Sequence, residues 1–98
     1  MERLTLFAKQ MGEGPVLLKL GFYKSKWGSC KPSTRTVTLN LNLIYSDREC
    51  FDAVIVHELA HFRVMNHSAD FYRIVESVLP DYRVRMKRLK KYTSPFID

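Results

Sequence analysis

The three histidines of this chain, His57, His61 and His67, all fall within one stretch, and Glu58 follows the first of them directly. His57 and His61 are four positions apart. On a helix, positions i and i+4 share a face, so two imidazoles can be offered to one metal ion with a carboxylate beside them. Neutral imidazole suits zinc, and a catalytic zinc site takes three protein ligands and keeps a fourth position for water. Glu58 then has the chemistry of a general base, taking a proton from the attacking water and passing it to a leaving amine while the metal polarises the carbonyl. The pattern is that of metal-assisted hydrolysis with one zinc ion as cofactor.

A third ligand is needed, and His67 is the first candidate. On a continuous helix His67 would lie roughly 9 Å beyond His61 and about 240° around the axis, out of reach of the same ion. The helix must therefore end between them. Asn66 can take the left-handed conformation that ends helices, whereas β-branched Val64 is poorly suited to it. Glu76 and Asp70 are the alternative third ligands, giving a glutamate- or aspartate-ligated site. The bland alternative is a pair of ordinary helix histidines with Glu58 as a surface charge.

The elements that must position these groups read as an α+β chain. Residues 2 to 11 form a helix with Leu4, Phe7, Ala8 and Met11 on one face and Gly12 as its stop. Residues 16 to 27 read as one strand with a bulge near Gly21, followed by loop chemistry from Trp27 to Ser33. Residues 36 to 43 alternate, with Val37, Leu39, Leu41 and Leu43 inward, as in a half-buried antiparallel strand. At the edge of its sheet this strand could pair with an extended peptide. Ser46 and Glu49 form a capping box for the helix that carries Phe51, Val54, Ile55, the histidine pair, Leu59 and Phe62. Ser68 caps a further helix ending near Pro80, and a last helix from Asp81 buries Tyr82, Met86 and Leu89.

At 98 residues and 46% hydrophobic content the chain is long enough for one small core and too apolar for a disordered segment. No apolar run approaches a membrane span, and Met1-Glu2-Arg3-Leu4-Thr5 lacks the apolar stretch of a signal peptide, so a cytoplasmic location without membrane association is the default. Cys30 and Cys50 then read as reduced thiols, Cys50 as a small buried hydrophobe. The net charge of +6 is uneven. Residues 47 to 82 are acidic, with seven acids against three arginines, whereas residues 83 to 91 carry Arg83, Arg85, Lys87, Arg88, Lys90 and Lys91 and no acid. This run is either the solvated face of an amphipathic helix or, with Lys24, Lys26 and Lys31, a surface for nucleic acid or an acidic protein. A metal-stabilised binding module without catalysis, and a hydrolase of non-peptide amides, are the competing functional classes. Oligomeric state is open.

Trp27-Gly28-Ser29-Cys30, Leu39-Asn40, Asp52 through His67 with Ser68 and Phe71, and Pro80-Asp81-Tyr82 occur in the order found in the YgjP-like metallopeptidase domain, which the chain resembles from about Leu4 to Tyr92. The family is related in motif to the WLM and SprT-like proteases. The resemblance implies a zincin-like fold over residues 1 to 98 as a single domain: an N-terminal helix, a small antiparallel sheet of about two strands, the active-site helix and two C-terminal helices. Members are often longer, so the chain resembles a minimal or C-terminal catalytic part. It further implies zinc on His57, His61 and His67, Glu58 as general base, and a peptide or protein substrate. Lys26 and Tyr72 depart from the arginine and tryptophan common at those places. Around the site, Trp27, Ser29 and Cys30 are candidates to line the cleft, with Trp27 as core anchor the alternative. Asp52 and Asp70 are candidates to orient the histidines, and Tyr72, Arg73 and Tyr23 to stabilise an oxyanion.

Overall fold

A helix buried along nearly its whole length organises the chain. In the computed structural model, which describes residues 2–24 and 26–92, this helix, α2, spans Arg48–Ala60, and every residue from Asp52 to Ala60 is buried. Such all-round burial marks a helix enclosed by other elements rather than one laid on a surface. α1 (Glu2–Gln10), α3 (Ala69–Val78), α4 (Tyr82–Leu89) and a three-stranded sheet pack around it. Its start differs from the expected capping box. Asp47 is the N-cap, its Oδ1 accepting from the Cys50 N–H at 2.8 Å. Ser46 is already committed to closing the preceding 3-10 turn, Leu41–Tyr45, where its hydroxyl donates to the Leu43 carbonyl at 2.7 Å.

The sheet corrects the two-strand antiparallel expectation. β1 (Leu17–Gly21), β2 (Gly28–Lys31) and β3 (Thr36–Asn40) are ordered β1-β3-β2, with β1 parallel and β2 antiparallel to β3. The strand expected to continue to Trp27 stops at Gly21, where a Cβ would stand 2.9 Å from the Tyr23 hydroxyl. The segment after it is pinned by Asn40, whose amide donates to the carbonyls of Tyr23 and Lys26 at 2.8 Å each. That role draws Asn40 into the interior at 1% exposure, although alternation had placed it on the solvent face. β2 occupies the stretch read as loop. Its small polar residues have little strand propensity, and pairing of Gly28 with Leu39 through to Lys31 with Thr36 forms it instead. The hairpin closes over Pro32–Thr34 with Arg35 left-handed at φ 54°. Because β3 is central and paired on both sides, residues 36 to 43 do not offer an edge for peptide addition.

α1 places Leu4, Phe7 and Ala8 in the core and ends at Gln10, with Gly12 at φ +73° in the turn that follows. The Glu13 carboxylate, nearly buried, receives Arg35 at 3.1 Å and Arg63 at 2.9 Å, joining the end of α1 to the hairpin and to the segment after α2. Ser68 is the N-cap residue of α3 but makes no side-chain cap bond. On α4 much of the basic run is consumed internally. Arg83 pairs with Glu76, Arg85 with Asp81 and Glu49, and Arg88 with Asp47 and Glu49. Among the described residues no helix is long and apolar enough to cross a membrane.

Candidate metal centre

The last turns of α2 carry His57 and His61 on one buried face, and the chain then reverses. His61 closes the helix in a right-handed conformation, and Arg63 and Val64 both donate to the Ala60 carbonyl. The helix stops between His61 and His67 as the spacing demands, but without a left-handed Asn66: among the described non-glycine residues only Arg35 has positive φ. The reversal brings His67 back over the helix end. Its Nε2 lies 3.3 Å from His61 Nε2, which in turn lies 3.2 Å from His57 Nε2. Ligand atoms of the three residues all lie within 4.8 Å of one another, with His57 and His61 buried and His67 exposed.

Hydrogen bonding on the far side of the His57 and His61 rings decides what these two present to the cluster. His61 Nδ1 faces the Val64 carbonyl oxygen at 3.0 Å. A carbonyl only accepts, so Nδ1 is the donor to it, and an imidazole in that tautomer turns its Nε2 lone pair to the cluster. His57 Nδ1 lies 2.6 Å from the Tyr82 hydroxyl, which allows the same tautomer with the phenol oxygen as acceptor. Burial, then the neighbouring Tyr72 and Glu58, push the Tyr82 phenol well above its ordinary pKa, so it stays neutral. Phe71 braces the set, its ring centroid 4.9 to 5.0 Å from all three imidazoles. A tetrahedral ion with zinc–nitrogen bonds of about 2.0–2.1 Å separates its ligands by about 3.3–3.4 Å. The two Nε2 separations fit that spacing.

Glu58 is fully buried beside the pair, facing β2. There Gly28 leaves room that a side chain would fill, since its Cβ would stand 3.1 Å from Glu58 Oε2. Trp27, just before it, is both core anchor and cleft wall. It lines a cleft of about 510 Å³ together with His57, His67, Tyr72, Tyr82 and Met86. Ser29 and Cys30 lie on β2 and are not among its lining residues. A larger groove, about 670 Å³ between α1 and β1, lies away from the histidines.

The remaining expectations sort clearly. Asp70 is exposed and bonds Arg73 at 2.6 Å, and Glu76 bonds Arg83 at 2.5 Å, so neither joins the histidine cluster. Asp52 pairs with Arg3 across to α1 rather than with a histidine. The groups behind the rings are instead Tyr82 and the Val64 carbonyl. A tyrosine on the inward face of a later helix is the only sign of this in the chain, and core packing explains such a residue equally well. Of the oxyanion candidates, Tyr72 is at the cleft, Arg73 is turned to Asp70, and Tyr23 packs against Gly21 under Lys26.

The fold is shared with solved structures. The metallopeptidase zymogen abylysin of Pyrococcus abyssi superposes with a TM-score of 0.89 at 22% identity, over 99% of this chain and 97% of that one. The zymogen jannalysin of Methanocaldococcus jannaschii gives 0.76 at 20% identity, over 94% and 95%. No curated protein sequence matches. The family model for the YgjP-like metallopeptidase domain covers residues 1–92. With nearly the whole chain matched and the histidines gathered as described, the chain belongs to the YgjP-like metallopeptidase domain family.

Proposed function

We propose that the chain is a zinc-dependent peptidase in which His57, His61 and His67 hold one ion and Glu58 is the general base. The observation that carries this reading is the convergence of three histidine ligand atoms within 4.8 Å, two of the Nε2 separations at tetrahedral spacing, beside a fully buried carboxylate. Bound there, zinc supplies Lewis acidity that polarises the scissile carbonyl and the attacking water. The Val64 carbonyl holds the His61 tautomer that turns its Nε2 lone pair inward, and the Tyr82 oxygen does the same for His57. Trp27 and Tyr72, which line the cleft with His57 and His67, flank the substrate. A Glu58 carboxylate oxygen takes a proton from the water as its oxygen attacks, then delivers that proton to the amine nitrogen as the C–N bond breaks. Residues 1 to 98 act as one catalytic domain.

Replacing Glu58 with glutamine tests the assignment. Metal content should stay as in the wild type, while hydrolysis of a peptide should fall by about 10²- to 10⁴-fold. Unchanged hydrolysis would remove Glu58 as the base.

A further inference from the structure

One wall of the cleft is basic. Arg83 and Lys87 line it from α4 and Lys90 from the helix's C-cap, alternating with the apolar Met86 and Leu89, and all face the same space as His57 and His67. Their i, i+4, i+7 spacing sets them on one helix face. Among the described residues, no acidic one lines the cleft. Arg83 is anchored, stacked 4.0 Å over the Tyr72 ring and bonded to Glu76. Lys87 and Lys90 are exposed, and no acid among the described residues forms an ion pair with either. The other cations of the helix, Arg85 and Arg88, turn away to Asp47, Glu49 and Asp81. The charge left uncompensated on α4 is thus concentrated where substrate must lie.

The dimensions suit an extended peptide. Seven residues of helix advance about 10 Å, the length of about three residues in extended conformation. An acidic side chain can meet each cation in turn, while the apolar residues between them take the rest of the chain. Resting on the peptidase reading above, we infer that the Arg83, Lys87 and Lys90 wall selects peptides carrying acidic residues on one side of the scissile bond. The mixed lining of Trp27, Met86 and Leu89 and the shared space with the histidines favour a peptide over a nucleic acid, whose backbone would want a longer, evenly charged track.

Two peptide sets that differ only in Glu or Gln at positions flanking the cleavage point test this in two ways. Hydrolysis by the zinc-loaded wild type is measured alongside binding to the Glu58→Gln chain by fluorescence anisotropy. Each well-placed Glu should raise kcat/KM and affinity by about two- to fivefold, and the gain should shrink as salt is added. The double variant Lys87→Glu with Lys90→Glu, checked for folding by circular dichroism, should reverse the preference toward peptides carrying Lys. Cleavage of Glu and Gln peptides at equal rates would overturn the inference and leave the peptidase reading standing. Preferential binding of Glu peptides with no cleavage of any would do the opposite. Tight binding of a single-stranded oligonucleotide, lost in the double variant and accompanied by no discrimination among peptides, would reassign the wall to nucleic acid.

Discussion

Replacing Gly28 with alanine would test how the fold positions Glu58. The added Cβ would stand 2.9 Å from the Thr38 carbonyl oxygen, 3.1 Å from Glu58 Oε2 and 3.2 Å from Glu58 Cγ. Carbon contacts are most favourable at about 3.5–4.0 Å, so the strand and the carboxylate must separate by about half an ångström. Neither yields freely. Thr38 is backbone of the central strand, paired with Ser29 next to the mutated position, and Glu58 belongs to a helix buried all round. Overpacking of this kind costs about 1–3 kcal/mol, which in a domain of this size lowers Tm by about 5–20 °C. A misplacement of 1 Å at a catalytic group costs about a hundredfold, so kcat should fall by roughly tenfold here. No histidine atom is among the three nearest to the added Cβ, so the metal should be kept. Scanning calorimetry, metal analysis and hydrolysis of a quenched peptide read the three quantities separately. A variant that melts and cleaves like the wild type would refute the packing argument, and metal lost in step with activity would show that the histidines moved instead.

Two more outcomes follow from groups outside the cluster. Tyr82→Phe removes the oxygen 2.6 Å from His57 Nδ1, and zinc affinity measured by chelator competition should drop about 10- to 100-fold; an unchanged affinity would contradict an orienting role. Asp47→Ala removes the cap of α2 and the partner of Arg88 and Tyr92, costing about 1–2 kcal/mol in urea unfolding at neutral pH. Hydrogen bonding from Arg88, then from the Cys50 N–H, holds the Asp47 carboxyl well below the usual carboxylate range. A depressed folded-state pKa stabilises above the unfolded value, about 3.9, so the gap between wild type and variant should narrow as pH falls below about 4. A gap of the same size at pH 3 and pH 7 would count against the carboxylate as its cause.

The histidine cluster was legible because its signal is local. Spacing puts His57 and His61 on one face, and the length between His61 and His67 requires a reversal that α2 does make at Ala60. What escaped the sequence depends on contacts between distant residues. β2 is a strand because Leu39 and Thr38 pair with Gly28 and Ser29, not because Gly-Ser-Cys-Lys prefers to be one. Asn40 looked solvent-facing by alternation, yet its amide satisfies two carbonyls of a segment far away in the chain. Ser46 with Glu49 matched a capping pattern, but the 3-10 turn before the helix claimed Ser46 and shifted the cap to Asp47. The groups behind the histidine rings were missed for a related reason. Acids near in sequence, Asp52 and Asp70, had arginine partners, while the ring of His57 found a tyrosine two helices later.

The central claim is the three-histidine site, and metal content of chain purified without added metal, for the wild type and His67→Ala in parallel, tests it most directly. The proposed site predicts about one zinc per wild-type chain and marked loss in the variant, since catalytic zinc takes about three protein ligands. A His67→Ala chain that keeps its zinc, and loses it only when Glu76 or Asp70 is also replaced, would contradict it.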